Sequence, residues 1–325
     1  MRRIYPTSIL VDNGFIEAMT QCPWKAYAAF ELGRRSAEES AALRFGKHIH
    51  TALAYRNRMQ FFKGVDVDVE EKQMQLLTNR FTTTPMENEG WRNLNTASLL
   101  IRVYNRSPEF NNPTHRYATH PKTGLPLVEQ PFMVDTGVTI RGRRLLYIGR
   151  IDRVVFIGEH LYIRDYKTTS MLGDNTWAEA QMSEQLRGYC WVVKNFLGMT
   201  PMGYCYDVLA VRESAANAEW DPLLEVVRMP ARSKAVPITL DTQKFFTNEP
   251  PGQLEEWFDN MCSQVETFLW HFDNNKFPRH HKHCRHQYGL CEYFKVCELP
   301  EHSRMDCLQS SMFKNNEWSP LYMKR

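Results

Sequence analysis

Residues 149–169, with the sequence GRIDRVVFIGEHLYIRDYKTT, constrain the fold more than any other stretch of the chain. They predict two strands joined by a tight turn at residues 158–159. Asp165 and Lys167 are two residues apart on the second strand, so their side chains project from the same face. In an antiparallel pair, Asp152 on the first strand lies close to level with Asp165. The stretch therefore predicts two carboxylates and a lysine on one patch, where a divalent cation can bind beside an amine.

Other polar residues are candidates for the same site because they are predicted to lie near this patch. Glu129, in the segment LVEQPF, lies on the preceding predicted strand, and His50 lies on an early predicted helix. Gln185 and Tyr189 are four residues apart on the helix that follows the hairpin, so they share one face. Taken singly, the aspartates and lysine predict a surface salt bridge, the histidine a structural residue, and the Gln/Tyr pair an ordinary half-buried helix face.

Taken together, the same residues suit phosphodiester hydrolysis. Mg²⁺ and Mn²⁺ prefer oxygen ligands, usually a few carboxylates with water and substrate phosphate, and histidine is acceptable to Mn²⁺. A bound metal lowers the pKa of a coordinated water and clamps the scissile phosphate. A lysine beside the metal can orient that water or help to deprotonate it. The residues predict a metal-dependent hydrolytic site, with a plain salt bridge as the alternative.

The order of predicted elements indicates a mixed α/β (α+β) architecture, with a sheet and helices packed on its faces. Residues 107–126 are polar and contain proline, which predicts a loop. The predicted helices span 13–33 (interrupted at 22–23), 38–59, 91–106, 176–196 and 254–272, and the predicted strands span 127–134, 145–157, 161–167, 202–211 and 223–229.

Four of the eight cysteines are candidate ligands of a second metal centre. Cys284, Cys291 and Cys297 follow a C-x6-C-x5-C spacing, and Cys22 stands alone near the N-terminus. Structural zinc usually uses tight C-x2-4-C pairs, whereas a [4Fe–4S] cluster takes four thiolates. This spacing leaves three interpretations open: an iron–sulfur cluster, a zinc site and plain thiols. Of the remaining cysteines, Cys190, Cys205 and Cys262 are predicted core residues. Cys307 is a candidate substitute ligand.

Composition limits the class of protein. The chain has 325 residues, of which 43% are hydrophobic and 24% are charged, as in ordinary globular proteins. The opening MRRIYPTSILVDNGF has no apolar run typical of a secretory signal, and no stretch is long and apolar enough for a membrane span. We expect a soluble protein in the cytoplasm, in host cytoplasm if the chain is phage-encoded, with reduced thiols.

Two basic clusters stand out against a formal net charge of only +3. One run covers residues 279–286, RHHKHCRH. The other surrounds the hairpin: Arg141, Arg143, Arg144, Arg150 and Arg153. Either cluster is compatible with a solvated surface or with contact to nucleic acid.

The ordered motifs of this chain resemble those of the RecB-like branch of the PD-(D/E)xK nuclease superfamily. The matching pieces are Gly46-x-x-x-His50, Gly149-x-x-Asp152, Asp165-Tyr166-Lys167 and Gln185-x-x-x-Tyr189. The cysteine pattern is similar to that of the iron–sulfur subgroup, which includes CRISPR-associated exonucleases, AddB-type nuclease domains and phage-encoded nucleases. In two places the chain departs from the pattern: Ile151 replaces the proline of the superfamily's name, and six residues separate Cys284 from Cys291.

The resemblance implies a role for each matching residue. His50, Asp152 and Asp165 would bind Mg²⁺ or Mn²⁺ with the Tyr166 carbonyl, and Glu129 is a further candidate ligand. A second set of residues would carry out catalysis or hold DNA, and a third would ligate a [4Fe–4S] cluster. The second set is Lys167, Gln185 and Tyr189, with Arg150 as a further DNA contact, and the third is Cys22, Cys284, Cys291 and Cys297.

The resemblance also implies a restriction-endonuclease-like fold in a single nuclease unit over residues 1–325. Its core would span residues 41–274, with a helical insertion at about 60–125. Residues 1–40 and 275–325 would form a subdomain stapled by the iron–sulfur cluster.

The expected function is a DNA exonuclease acting on single-stranded DNA or DNA ends in recombination, repair or phage DNA processing. The chain has no G-x-x-x-x-G-K-[ST] loop, so we expect a stand-alone nuclease or one subunit of a larger machine. A helicase, a recombinase or a single-strand-binding protein is the expected kind of partner in the second case. A catalytically inactive DNA-binding protein on a nuclease fold is the alternative. An iron–sulfur redox protein is a third interpretation, but no flavin or nicotinamide motif accompanies the cysteines.

Overall fold

The computed structural model describes residues 3–64, 68, 73, 92–107, 115–169, 174–211, 219–223, 226–228, 242–248, 250–286 and 289–315. About half of the predicted insertion at 60–125 therefore lies outside the described residues. Within the described ranges, no helix combines the length and the apolar character needed to cross a membrane.

Nine α-helices and thirteen strands are formed by the described residues. The helices are α1 (Asn13–Gln21), α2 (Pro23–Ala26, continued by a π-turn at Tyr27–Glu31), α3 (Ala41–Lys63), α4 (Leu94–Arg106), α5 (Asp174–Gln181), α6 (Glu184–Leu197), α7 (Gln253–Asp273), α8 (Phe294–Glu298) and α9 (Glu301–Gln309). The strands are β1 (Ser8–Val11), β2 (Arg34–Ser36), β3 (His115–Tyr117), β4 (Val128–Ile140), β5 (Arg143–Ile157), β6 (His160–Thr169), β7 (Pro201–Ala210), β8 (Glu219–Asp221), β9 (Val226–Arg228), β10 (Thr242–Asn248), β11 (Arg285–His286), β12 (Gly289–Leu290) and β13 (Phe313–Asn315).

The main sheet is mixed, which confirms the predicted α/β class. Its strand order is β1-β5-β6-β7-β10, and β3 and β4 also pair with β5. The β1–β5 and β6–β7 pairs are parallel, whereas β5–β6 and β7–β10 are antiparallel. The β5–β6 hairpin turns at Gly158, whose φ of 59° is readily adopted by glycine.

The chain divides into two compact units, and the first consists of residues 1–39, 131–150 and 252–322. Here α1 packs on α7, and the buried ring of Phe15 meets Phe268 edge-on at 5.2 Å. Burial of one such side chain contributes about 1.5–3 kcal/mol. Asp12 caps α1 by accepting from the Phe15 backbone N–H at 2.7 Å. Pro23 separates α1 from α2, as predicted, because proline cannot continue α1 but fits the first turn of the next helix.

The second unit, residues 40–130, 151–251 and 323–325, carries helices on two faces of its strands. On one face, residues of α3 and α4 form a buried apolar cluster with Tyr166 of β6 and Leu209 of β7. On the other face, α6 contacts β6 and β7. Because neighbouring residues of a strand point to opposite faces, Tyr166 enters the apolar cluster while Asp165 and Lys167 face α6. The predicted division into core and cluster subdomain, with limits at residues 40 and 274, remains a prediction.

A buried polar network lies beneath the same strands. Asp207 of β7 pairs with Arg164 and, at 3.3 Å, with Arg153, and both arginine side chains are almost fully buried. Asn57 of α3 accepts from Arg153 and donates to the Tyr166 hydroxyl at 2.7 Å. Buried charges are tolerated only when paired, and loss of one partner costs about 3–5 kcal/mol. The network therefore fixes α3 against β5 and β6.

Two predictions of secondary structure were wrong. The single helix expected over residues 176–196 is two helices, because Ser183 adopts an extended conformation and caps α6 through the Leu186 backbone N–H. The loop expected over 107–126 contains β3, and β1 lies in a segment for which no strand was predicted. Both short strands form because they pair with β5, and neither has a strand pattern of its own in the sequence.

Candidate metal centre and active site

The β5–β6 hairpin brings the predicted aspartates to the point where its paired register ends. Arg153 and Arg164 are the last paired residues, and Asp152 and Asp165 follow them. At this point the Tyr166 backbone N–H donates to Asp152 Oδ2 at 3.2 Å. Both aspartates are buried. The two carboxylates thus lie side by side at the end of the hairpin ladder.

His50 of α3 reaches this position from the helix side. Its Nδ1 lies 3.1 Å from Asp152 Oδ2, and its Nε2 lies 2.8 Å from the Tyr166 carbonyl oxygen. Both partners are acceptors, so both ring nitrogens carry protons in the metal-free site. Burial alone would lower the pKa of His50, but the Asp152 carboxylate, helped by Asp165 and Glu129, raises it to about 9. The histidine is therefore an imidazolium at neutral pH.

Glu129, at the start of β4, completes a set of three ligand groups. Among the described residues, His50, Glu129 and Asp152 are the one group of three or more side chains whose ligand atoms all lie within 4.8 Å of one another. Glu129 has a φ of 48°, a left-handed conformation that non-glycine residues rarely adopt. Such strain costs about 1–3 kcal/mol and concentrates at functional sites. The backbone at this position is thus held in an unfavourable conformation beside the candidate ligands.

Asp165 and Lys167 form the second half of the site. Lys167 Nζ lies 2.8 Å from Asp165 Oδ2. Burial, with repulsion from Asp152, raises the pKa of Asp165 to about 6 despite the opposing effect of Lys167. Burial acts to lower the pKa of Lys167, but Asp165 and Asp152 raise it above its usual value. The lysine is therefore an ammonium that donates hydrogen bonds at neutral pH.

Gln185 and Tyr189 face this pair from α6, as the helical spacing predicts. Gln185 Nε2 donates to Asp165 Oδ1 at 3.4 Å and to the Tyr189 hydroxyl at 3.0 Å. Gln185 Oε1 accepts from Lys167 Nζ at 3.3 Å. The amide thus contacts both members of the Asp165–Lys167 pair and fixes their mutual orientation. A direct contact of either α6 residue with DNA stays a prediction.

Two further residues of the site, Tyr206 and Ser183, were not predicted from the sequence. Lys167 Nζ lies over the ring of Tyr206, 5.2 Å from its centroid, which is a cation–π contact. The Tyr206 hydroxyl donates at 2.6 Å to Ser183 Oγ, the group that caps α6. Tyr206 lies on β7 beside Asp165. No local motif marks it, because the parallel β6–β7 register decides its position.

We expect Tyr206→Leu to slow catalysis more than Tyr206→Phe. The leucine variant loses the aromatic face beneath Lys167, a contact of about 0.5–2 kcal/mol, which corresponds to a loss of about 2- to 30-fold in kcat. The phenylalanine variant keeps the face and loses only the hydroxyl bond to Ser183. Steady-state DNA cleavage measures both, with thermal unfolding as the control for folding. Equal kcat values for the two variants would show that the aromatic face has no catalytic importance.

The donor set fits a divalent cation. It consists of carboxylate oxygens and one imidazole, which suit Mg²⁺ and better still Mn²⁺. In addition, Asp165 Oδ2 is buried without a well-aligned hydrogen bond from any described residue, although Lys167 lies beside it. The candidate metal ligands are therefore His50, Glu129 and Asp152, with Asp165, which lies outside that group of three, as a further candidate. The Tyr166 carbonyl also borders the site through its contact with His50.

Metal binding is expected to release about one proton at neutral pH, because a ligating imidazole must be neutral and His50 is protonated without metal. The pKa of His50 is raised, so the competing proton is fully present well below pH 9 and is lost as the pH rises through about 9. Affinity for Mn²⁺ should consequently tighten about tenfold per pH unit between about pH 6, where Asp165 ionises, and about pH 9. Calorimetry in buffers of different ionisation enthalpy counts the proton. His50→Gln should abolish its release, and a wild-type count of zero would contradict the assignment.

Most arginines of the basic cluster around the hairpin form ion pairs within the protein. Arg141 and Arg143 each lie 2.8 Å from the Asp273 carboxylate, and Arg144 pairs with Asp135. The partner Asp273 is about 130 positions away in the chain, so no local pattern reveals these pairs. These three arginines are thus held by intramolecular ion pairs.

The other two arginines of this cluster are less accessible. Arg153 is buried and paired with Asp207. Arg150, two residues before Asp152, is half-buried. Its predicted contact with DNA stays a prediction.

The four predicted cluster cysteines share one neighbourhood of the first unit. Burial, followed by the nearby thiols of Cys22, Cys284 and Cys291, raises the pKa of Cys297 to about 11. The Cys291 backbone N–H donates to the Cys284 carbonyl at 2.8 Å. In the described parts of the chain, however, no cysteine belongs to a group of three ligand atoms within 4.8 Å of one another. The four sulfurs are thus neighbours without forming a compact site.

The other four cysteines lie elsewhere. Cys190 and Cys205 are fully buried, which agrees with their prediction as core residues, and Cys262 is half-buried on α7. Cys307 lies on α9 and is also half-buried. It is the natural control for the proposed ligands.

Comparison with known proteins places this site in a family. A search of curated proteins returns no significant match. The model of the PD-(D/E)XK nuclease superfamily, in contrast, matches residues 15–298, which contain every candidate ligand and catalytic residue described above. On this match over most of its length, the chain belongs to the PD-(D/E)XK nuclease superfamily.

Proposed function

We propose that this protein is a Mg²⁺- or Mn²⁺-dependent deoxyribonuclease of the RecB-like branch that works as an exonuclease on single-stranded DNA or DNA ends. The observation that carries the proposal is the convergence of His50, Glu129, Asp152 and Asp165 beside Lys167. We further propose that it acts in the cytoplasm in recombination, repair or phage DNA processing. A helicase, a recombinase or a single-strand-binding protein is the candidate partner that we propose for it.

The chain's own residues have distinct parts in the proposed reaction. A divalent cation, when bound, supplies an acidified water and neutralises charge on the scissile phosphate. The carboxylates and His50 hold the cation, and His50 gives up its ring proton on binding. Lys167, an ammonium, orients the attacking water and offsets negative charge that develops on the phosphate. Gln185 contacts both Lys167 and Asp165 and fixes their relative orientation, while the ring of Tyr206 packs against the lysine ammonium.

The competing proposal is a catalytically inactive DNA-binding protein. The intact constellation argues against it, because a decayed site would have no need to keep a strained Glu129 beside buried carboxylates. All of the candidate ligands and the neighbouring lysine are present in the sequence. An active nuclease accounts for these residues more simply.

Cleavage of matched linear and circular DNA tests the proposal. Linear and circular single-stranded DNA of one sequence, and the linear duplex, are incubated with Mg²⁺, Mn²⁺ or EDTA. An exonuclease degrades the linear substrates in the presence of metal and spares the circle, since the circle has no end. Equal degradation of the circle would identify an endonuclease. No cleavage of any substrate with either metal would favour the inactive alternative.

We also propose that Cys22, Cys284, Cys291 and Cys297 ligate a [4Fe–4S] cluster that staples residues near the two ends of the chain. Their chemistry fits, because all four are free thiols that are buried or half-buried. The thiols of Cys22, Cys284 and Cys291 also contribute to the raised pKa of Cys297. Tetrahedral zinc, with Zn–S bonds of about 2.3 Å, needs sulfurs about 3.8 Å apart. No three of the described cysteine sulfurs lie within 4.8 Å of one another, which is too open an arrangement for such a zinc site.

Cys22→Ser is expected to lose the cluster and Cys307→Ser to keep it. Anaerobically purified wild type should contain about four irons and absorb near about 400 nm. Cys22→Ser should lose this iron and unfold at a lower temperature, because the link between distant segments is gone. Iron and sulfide analysis with thermal unfolding measures both. Stoichiometric zinc without iron would refute the cluster, and loss of iron in Cys307→Ser would reassign a ligand.

A further inference from the structure

Residues 274–291, which we call the basic segment, are free of acidic residues. This stretch contains Lys276, Arg279, Lys282, Arg285 and four histidines, at 280, 281, 283 and 286. The acids at its borders are Asp273 and Glu292. For a chain with a formal net charge of +3, four cations in eighteen residues form a strong local concentration of positive charge.

The centre of the basic segment presents its cations to solvent. His281, Lys282 and His283 form a short 3₁₀ turn, Arg285 follows in β11, and all four side chains are exposed. Among the described residues, no carboxylate forms an ion pair with Lys282 or Arg285.

The carboxylates that border the segment are already paired elsewhere. Asp273 is paired with Arg141 and Arg143, and Glu292 with Arg35 at 2.7 Å. Three arginines around the hairpin thus share Asp273 and Asp135, whereas among the described residues neither Lys282 nor Arg285 has a carboxylate partner.

The backbone of the segment is held in place at several points. The Pro278 carbonyl accepts from the Trp24 backbone N–H at 3.3 Å, and Arg279 donates to the Cys297 carbonyl at 2.7 Å. The His280 ring lies 3.0 Å from the Gln21 carbonyl. A backbone fixed in this way loses little conformational entropy when its side chains bind a ligand.

The aromatic residue described within the segment is engaged in packing. The ring of Phe277 stacks on Tyr27 with their centroids 4.0 Å apart. Base stacking by this ring is therefore excluded by its position, and the exposed groups offer charge and N–H donors. Their natural ligands are phosphate oxygens spaced along a polyanion.

We propose that the basic segment is a second DNA-contact surface, which binds the sugar–phosphate backbone of single-stranded DNA through Lys282 and Arg285 without reading sequence. His281 and His283 add hydrogen bonds to the same phosphates. This proposal rests on the deoxyribonuclease function proposed above. It assigns substrate binding to residues of the first unit, whereas the candidate metal ligands belong to the second.

The double variant Lys282→Ala/Arg285→Ala of the full chain tests the proposal. Binding of a fluorescent single-stranded oligonucleotide is measured in metal-free buffer, where no cleavage occurs, at several salt concentrations. Because each lost phosphate contact lowers the slope of log K against log[salt] by about 0.7, the double variant should lose about 1.4 units of slope. Its affinity at 0.1 M salt should fall by roughly tenfold or more.

Arg116→Ala/Lys122→Ala is the matched control, since it removes the same formal charge from exposed positions of the second unit. We expect it to keep the wild-type slope. Circular dichroism and iron content verify that both double variants fold. Wild-type binding with an unchanged slope in Lys282→Ala/Arg285→Ala would overturn this inference alone. A wild type that neither binds nor cleaves DNA would overturn the proposed function, and the inference with it.

Discussion

Lys167→Ala will lose about 100- to 1000-fold in kcat for DNA cleavage and will keep its affinity for Mn²⁺. Removal of one donor that faces developing negative charge has an effect of this size in other enzymes. The pKa of Lys167 is raised by Asp165 and Asp152 against the effect of burial, so the group lost is an ammonium rather than a general base. Single-turnover cleavage with saturating metal measures the loss. Calorimetry with Mn²⁺ shows whether the metal site survives.

Lys194→Ala is the control for this variant. Lys194 is an exposed lysine of α6, the helix that carries Gln185, and we expect its loss to leave kcat unchanged. A Lys167→Ala protein as active as wild type would remove the lysine from the mechanism. A loss of metal binding in the same protein would instead assign Lys167 to the integrity of the site.

Asp152→Asn will weaken Mn²⁺ binding by about 100-fold or more and will suppress cleavage accordingly. Groups that merely orient a metal ligand contribute about 10- to 100-fold to affinity, and a direct ligand contributes at least as much. The asparagine keeps the shape of the side chain and can still accept from the Tyr166 backbone N–H, so the hairpin should fold. Calorimetry and the cleavage assay at several metal concentrations measure the two effects.

The same substitution has a second consequence that a general loss of folding would not produce. Asp152 is the strongest of the groups that raise the pKa of His50, so the pKa in the folded variant should fall from about 9 toward the ordinary value. Histidine NMR signals followed against pH report this change. Asp135→Asn, on β4, should leave the His50 pKa in place. An unchanged value in Asp152→Asn would contradict the proposed contact.

The hairpin and its residues could be predicted because local chemistry determines them. A tight turn fixes the register of β5 against β6, and the period of two places Asp165 and Lys167 together. The spacing of four on one helix likewise places Gln185 and Tyr189 on the same face. These arguments need only neighbours in sequence or one short connection.

The rest of the site depends on contacts between segments far apart in the chain. Tyr206 lies beside Lys167 because of the parallel β6–β7 register, which a helical crossover sets. The left-handed backbone of Glu129 arises from tertiary context, since nothing in LVEQPF favours a positive φ. Similarly, the pairing of Arg141 and Arg143 with Asp273 turned an apparent basic surface into ion pairs. Such features follow from the assembled fold and have no local signature.

The alternation along β6 has a consequence for how this gene can vary. Because successive residues of β6 point to opposite faces, Tyr166 contributes to the apolar cluster while Asp165 and Lys167 face the site. A single-residue insertion or deletion between the turn at Gly158 and Asp165 would exchange the two faces, placing charges in the cluster and an aromatic ring in the site. A change of two residues would preserve the assignment of faces. In related chains that stay active, we therefore expect length differences in this hairpin to be multiples of two residues.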